Sequence, residues 1–69
     1  MYKEILEYKL VQKIGQYGIV KVKEQQYFYD GTKFGKLYIL YDVCLEHGYG
    51  DIVVSFSELR AARKWAKEN

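Results

Sequence analysis

The strongest constraint on the fold is an alternation of apolar and polar side chains that repeats every two residues. It runs through residues 8–14 and 19–24, and Gly15 and Gly18 bracket the short connection between the two runs. A period of two is typical of a strand with one buried face, and glycine supplies the positive φ that tight hairpin turns need. The pattern therefore predicts a β-hairpin over residues 8–24.

Strict alternation also assigns each side chain of this hairpin to a face. One face of the first strand takes Tyr8, Leu10, Gln12 and Ile14, and the other takes Lys9, Val11 and Lys13. In the second strand the alternation separates Val20 and Val22 from Lys21 and Lys23. We expect the side that carries the lysines to face the solvent, because lysine is rarely buried without a partner.

Two apolar segments follow the hairpin. Residues 37–45 and 51–56 are rich in β-branched and aromatic side chains, which favour strands, and residues 46–50 between them contain two glycines. These segments predict a strand pair over residues 37–56. The first segment is apolar on both faces, which is typical of a central strand.

Helical spacing appears only near the end of the chain. Small and apolar side chains recur three or four residues apart at Leu59, Ala62, Trp65 and Ala66. This stripe predicts an amphipathic helix over residues 57–68 that packs on the sheet, with Ser57 as its N-cap residue. Residues 1–7 fit a helix or a strand equally well and form an undetermined lead-in.

The order of these elements predicts a single α+β domain over residues 1–69. We expect a small antiparallel sheet of three to four strands, connected as a β-meander and packed on one C-terminal amphipathic helix. A domain of this length buries only about 60% of the surface of its unfolded chain, so its core is small. One helix covers at most one face of such a sheet, so the other face needs either polar residues or a partner, and the apolar run over residues 37–45 favours a partner or a dimer.

Few residues of this chain are suited to catalysis or to metal binding. Cys44 and His47 are its only cysteine and histidine, and Cys44 lies within an apolar strand. A cysteine in that setting behaves as a small hydrophobic residue, and no third residue can be named to orient the histidine. We therefore expect a protein that is not an enzyme and that has no cofactor and no metal site.

The sequence also limits the expected location of the protein. Its formal net charge is only +2, no secretory signal is recognisable at its N-terminus, and its one cysteine cannot form an internal disulfide. No apolar run is long enough to span a bilayer. We expect a cytoplasmic protein with no membrane contact, since unpaired thiols are typical of reducing compartments.

Two sets of residues are candidates for binding. The first set consists of tyrosines on or beside the strands, which suit a protein interface: Tyr27, Tyr29, Tyr38 and Tyr41. The partner is then another protein, or a second copy of the chain in a homodimer. The second set is basic and suits phosphate contacts in a nucleic-acid-binding protein: Arg60, Arg63, Lys64, Lys67, Lys21 and Lys23. A weaker alternative is an oligomer that traps a small anionic ligand, such as a nucleotide, between its subunits.

The ending DIVVSFSELRAARKWA consists of a strand, a serine and an amphipathic helix, and it follows a meander rich in lysine and tyrosine. In this style the chain resembles small proteins of phages and prophages of low-GC bacteria, although it carries no diagnostic family motif. The resemblance implies a non-catalytic binding module, such as an inhibitor of a host or host-defence protein, acting through an aromatic sheet face or an edge strand.

Overall fold

The structure, a computed structural model, describes residues 2–69. In this part of the chain four strands form one antiparallel sheet in the order β1-β2-β3-β4, and one helix follows them. The elements are β1 (Tyr2–Ile14), β2 (Tyr17–Tyr27), β3 (Lys33–Cys44), β4 (Ile52–Phe56) and α1 (Leu59–Glu68), with a short 3₁₀ turn at Glu46–Gly48 between β3 and β4. The predicted antiparallel α+β meander with a C-terminal helix is confirmed.

The hairpin is longer than the predicted range of 8–24. β1 begins at Tyr2, which pairs with Tyr27, so the undetermined lead-in is strand throughout its described part; residue 1 lies outside the described residues. The connection contains only Gly15 and Gln16, and the φ of +58° at Gly15 explains why glycine occupies the first turn position. The lead-in forms a strand because β2 continues beside it and supplies backbone partners on both sides of the register shift at Leu6.

Two β-bulges change the predicted faces of β1. The register shifts at Leu6 and at Val11, so that Leu10 pairs with Val20 whereas Gln12 pairs with Ile19. Each bulge adds one residue to β1 and so reverses the direction of every later side chain. The prediction that Tyr8, Leu10, Gln12 and Ile14 share one face is therefore wrong. Tyr8 and Leu10 lie on one face of the sheet, and Gln12 and Ile14 lie on the other.

The main core lies between the sheet and α1. Its buried members come from β2, β3 and the helix: Tyr17, Ile19, Val43, Ala62 and Ala66. Trp65 packs edge-on against Tyr17 with their ring centroids 5.2 Å apart. The two alanines let the helix approach the strands closely, which explains the small residues in its stripe.

The helix begins later than predicted. α1 starts at Leu59, and Glu58 occupies the N-cap position in an extended conformation without a side-chain cap bond. The prediction that Ser57 caps the helix is therefore wrong. The apolar stripe placed the helix correctly because it is set by packing on the sheet, whereas local capping preferences only bias the first turn.

The molecule is elongated. Its principal extents are 43 × 20 × 16 Å and its radius of gyration is 13.4 Å, whereas a compact chain of this length has a radius of about 11 Å. A ten-residue helix covers about 15 Å, so α1 lies over only one end of the sheet. The parts of β1, β2 and β3 beyond α1 form a three-stranded extension, which we call the arm.

Candidate protein-binding surface

The two faces of the sheet carry different kinds of side chain along the arm. On the face that carries α1, the helix-side face, the strands continue beyond the helix with charged side chains. Glu7 lies between two lysines there, 3.9 Å from Lys21 and 3.4 Å from Lys23. These lysines do not simply extend into solvent as expected, because each is partly buried in this ion-pair cluster. The uncovered part of the helix-side face is therefore charged at its centre, with Ile39 beside Lys23 and the Tyr2–Tyr27 pair towards the tip as its apolar members.

The opposite face, which we call the open face, is apolar over most of its length. The register of the strands arranges its side chains in cross-strand rows: Ile5–Glu24–Tyr38, Tyr8–Val22–Leu40 and Leu10–Val20–Asp42–Ser55. Tyr8 is 60% exposed, Ile5 54% and Tyr38 48%. Val22, between Tyr8 and Leu40 in the register, is buried although no helix covers this face, and it belongs to a small cluster with Val20, Cys44 and Leu10.

One end of the open face is closed by the Glu46–Gly48 turn. The backbone N–H of His47 donates to the carbonyl oxygen of Gln16 at 2.9 Å, which ties the turn to the first hairpin. The turn passes so close to Gly18 that any side chain there would collide with the backbone of His47 and Gly48. Glycine at position 18 is therefore required by this contact, in addition to any need of the hairpin.

The backbone of this turn is strained. Glu46 and His47 both have left-handed conformations, with φ of 53° and 59°, and Gly48 follows at 102°. Non-glycine residues in this region each cost about 1–2 kcal/mol. Three local hydrogen bonds offset that cost: Gly48 N–H and Gly50 N–H to the Leu45 carbonyl, and Tyr49 N–H to the Glu46 carbonyl. The turn gives the open face a fixed wall at the end that lies farthest from the tip of the arm.

Beside this wall, Asp42 on β3 and Ser55 on β4 form a polar pair. Asp42 is buried, and the hydroxyl of Ser55 donates to its Oδ1 atom at 2.6 Å. Cys44, two residues further along the strand, is completely buried. Desolvation raises the pKa of its thiol, and the nearby Asp42 carboxylate adds to this. A cysteine with a raised pKa holds little thiolate at neutral pH, which is the opposite of what a nucleophile needs.

The tip of the arm is aromatic. Tyr2 stacks on Tyr27 with the ring centroids 5.3 Å apart, and Tyr29, 84% exposed, lies 6.5 Å from Tyr2. Phe28 and Phe34 meet edge-to-face at 5.0 Å. These contacts bury part of each ring against its neighbour, so they hold the end of the arm together and still leave aromatic surface exposed.

Two titratable groups at the tip are shifted by their neighbours. The pKa of Tyr27 is raised, first by desolvation and then by the charge of Glu4. In the turn between β2 and β3, the backbone N–H of Thr32 donates to Asp30 Oδ1 at 2.8 Å and lowers the pKa of that carboxyl group. This hydrogen bond joins Asp30 to Thr32 within the turn and stabilises the ionised form of the Asp30 carboxyl group.

The structure does not bring the four candidate tyrosines together. Tyr27 and Tyr29 lie at the tip of the arm, Tyr38 lies on the open face, and Tyr41 lies on the helix-side face, where it pairs with Phe56 and packs against the main core. Tyr38 and Tyr41 lie on opposite faces because they are three residues apart in β3, and successive side chains of a strand alternate between its faces.

Three open-face residues that sequence reasoning did not select are better placed than Tyr41. Tyr8, Leu40 and Asp42 all belong to the central rows of this face. The alternation of β1 pointed to Tyr8, but the covered face could not be told from the uncovered one. Leu40 and Asp42 lie in a nearly continuous apolar run, in which no periodicity indicates which residues are buried by the helix.

Some of the basic candidates bind polar side chains of the same chain, and others are exposed without an ion pair. Arg63 Nε donates to Gln12 Oε1 at 2.6 Å, and Arg60 lies 3.7 Å from Glu58. Lys64 and Lys67 are exposed and form no ion pair within residues 2–69. Lys21 and Lys23 are engaged by Glu7, so the two candidates with neither an ion pair nor a side-chain hydrogen bond in this range, Lys64 and Lys67, both lie on α1.

Two searches of the described residues limit other kinds of site. Residues 2–69 contain no group of three or more histidine, cysteine, aspartate or glutamate side chains placed to hold a metal ion. In the same range, α1 is too short and too polar to cross a membrane, and no other helix could do so. Comparison of the chain with models of known families, with curated proteins and with solved structures finds no match.

Proposed function

We propose that this protein is a small non-catalytic binding module that uses its open face to bind another protein. The observation that carries the proposal is the contrast along the arm: the helix-side face carries charges where α1 ends, whereas the open face carries exposed Ile5, Tyr8 and Tyr38. Contiguous apolar and aromatic surface is characteristic of interaction sites. Charged side chains would occupy these positions at little cost if the face only met water.

The proposed action of this module is inhibition of its partner by binding. A chain without a catalytic group acts by occupying the surface of its partner, and an inhibitor of a host or host-defence protein needs no more than this. The reduced thiol of Cys44 suits a cytoplasmic location.

Neighbouring residues of β3 provide a matched test of the open face. Leu40 pairs with Val22 on the open face, and Ile39 pairs with Lys23 on the helix-side face. Tagged wild type, Leu40→Ser and Ile39→Ser are used to capture proteins from host lysate after nuclease treatment, at low and at high salt. We expect one stoichiometric partner with wild type and with Ile39→Ser, and its loss with Leu40→Ser. Equal capture by both variants would contradict the proposal, provided that both have the circular dichroism spectrum of wild type.

A second candidate function is binding to nucleic acid through α1. Exposed Lys64 and Lys67 favour it, and so does Arg63, whose position is fixed by Gln12. Such binding must weaken steeply as salt rises, because it depends on phosphate contacts.

Charge reversal at two places distinguishes this candidate from a general charge effect. The double variant Arg63→Glu/Lys64→Glu reverses charge on α1, and Lys33→Glu/Lys36→Glu makes the same change in net charge on the arm. For a binder that uses the helix, we expect only the first variant to lose affinity for single- or double-stranded oligonucleotides in fluorescence anisotropy. Equal losses in both variants would indicate nonspecific attraction.

A further inference from the structure

Asp42 is an unusual residue for an apolar face. It lies in the row Leu10–Val20–Asp42–Ser55 and is only 8% exposed. Its neighbours along the open face of β3 are Leu40 and Cys44. A carboxylate in such a position is largely withdrawn from water, which is unfavourable unless other groups compensate for the loss.

Residues 2–69 compensate only in part for the water that the Asp42 carboxylate loses. Ser55 donates one hydrogen bond to Oδ1, and Asp42 has no basic partner within 4.0 Å among residues 2–69. The other oxygen, Oδ2, accepts no hydrogen bond there, yet no buried side-chain polar atom of this range lacks a partner. Oδ2 therefore reaches the surface of the open face.

The other acid on this face is satisfied differently. Glu24 lies 3.2 Å from the ammonium group of Lys3, so it brings its own counter-charge. Asp42 therefore provides an acceptor without a counter-charge, and apolar side chains surround it. Such surroundings exclude water once a partner binds and strengthen a charge-assisted hydrogen bond.

From this arrangement we infer that the partner presents one basic side chain, lysine or arginine, flanked by apolar side chains, and that this basic group binds Asp42 Oδ2. The inference rests on the proposed function, since it names the chemistry of a protein that occupies the open face. The apolar flanks contact Tyr8, Tyr38 and Leu40, while the basic group supplies the counter-charge that the chain lacks.

The test uses a random display library of twelve-residue peptides, selected on the immobilised full-length protein. Enriched peptides are synthesised in two forms, one with the selected basic residue and one with a neutral isostere: citrulline for arginine, norleucine for lysine. Their affinities are measured for wild type, Asp42→Asn and Leu40→Ser. Because Asp42→Asn keeps the shape and one acceptor oxygen, it removes the charge with little change in packing.

The expected result is a double-mutant cycle with strong coupling. Replacing the basic residue should weaken binding to wild type by about tenfold or more, as for buried charge pairs, and should have little effect on binding to Asp42→Asn. Leu40→Ser should weaken both peptides alike. If Asp42→Asn does not fold, Ser55→Ala serves instead. It deprives Asp42 of its internal donor, so the preference for the basic peptide over its neutral form should be kept or increased.

Two contrary results separate this inference from the proposed function. Peptides that depend on Leu40 but show no basic residue, or no coupling to Asp42, would overturn the inference and leave the open face as a binding surface. Failure to enrich any peptide that depends on Leu40 would overturn both.

Discussion

Replacing Gly18 by alanine should displace the Glu46–Gly48 turn from the sheet. An ideal Cβ atom at position 18 lies 2.4 Å from the backbone nitrogen of Gly48 and from the carbonyl carbon of His47. Ordinary contact begins near 3.4 Å, so β2 and the turn must separate by about 1 Å in a closely packed region. Both atoms belong to the backbone, so no side-chain rotation can relieve the collision.

The size of the effect follows from what must be broken. Overpacking of this kind costs about 1–3 kcal/mol. Moving the turn also weakens the His47 N–H bond to Gln16, which is 2.9 Å long and whose loss adds about 0.5–1.5 kcal/mol. The expected loss is therefore about 1.5–4.5 kcal/mol, a large part of the roughly 3–5 kcal/mol that a core in so small a domain supplies.

Urea unfolding followed by the fluorescence of Trp65 measures this loss, because Trp65 packs against Tyr17 in the main core. The matched control is Gly15→Asn in the same hairpin. Position 15 has a φ of +58° and no neighbour within 4 Å, and asparagine tolerates that conformation. We expect a loss below about 1 kcal/mol there. A loss for Gly18→Ala no larger than for the control would refute the placement of the turn against β2.

Three further predictions concern single contacts. The buried Cys44 thiol, whose pKa is raised by desolvation, should react with a disulfide reagent only as fast as the protein opens, and a fast reaction under native conditions would show that it is accessible. The pKa of Asp30 is lowered in the folded state by the N–H of Thr32. Its charge therefore stabilises the fold above the ordinary value of 3.8, and this contribution disappears as the pH falls through the lower folded-state pKa. Asp30→Asn should consequently be less stable than wild type in urea at neutral pH, and a difference that persists in strong acid would contradict the linkage. Arg63→Met should cost less than about 1 kcal/mol, because the bond to Gln12 is exposed, and a much larger change in the urea midpoint would mean that Arg63 anchors α1.

The sequence was sufficient to predict the order of the elements because each one has a strong internal pattern. Alternating side chains and Gly15 predict the first hairpin, and the small residues Ala62 and Ala66 predict where the helix meets the sheet. These signals are local, and they express the same packing that the folded chain realises.

The faces of the strands were less predictable. A bulge at Val11 reverses the later part of β1, and no residue type at that position indicates it. The ends of the hairpin were also missed, since Lys3 and Glu4 have little preference for strands and are paired only because β2 continues beside them. Register and bulges depend on contacts between distant segments, which a single sequence does not encode locally.

For the same reason, the sequence predicted the type of residue in the candidate site but not which residues share a face. Aromatic content indicated that one face carries exposed tyrosines, but only the register separates Tyr38 from Tyr41. The role proposed for Asp42 depends on its contact with Ser55, a residue thirteen positions further along the chain. A carboxylate in an apolar run is conspicuous in the sequence, yet its lack of a basic partner becomes apparent only from the fold.

The geometry also favours one mode of binding over another. Addition of a partner strand to an edge of the sheet would need a regular, unpaired strand. β1 is long enough, but bulges at Leu6 and Val11 interrupt its hydrogen-bonding pattern and charged side chains follow its length. β4, at the other edge, has only five residues and a register shift of its own. Bulges, charged side chains and short length all disfavour the pairing of an edge strand with a strand from another protein. Since α1 and the Glu7 cluster occupy much of the helix-side face, the proposed binding of a protein is better served by side-chain contacts on the open face than by strand addition.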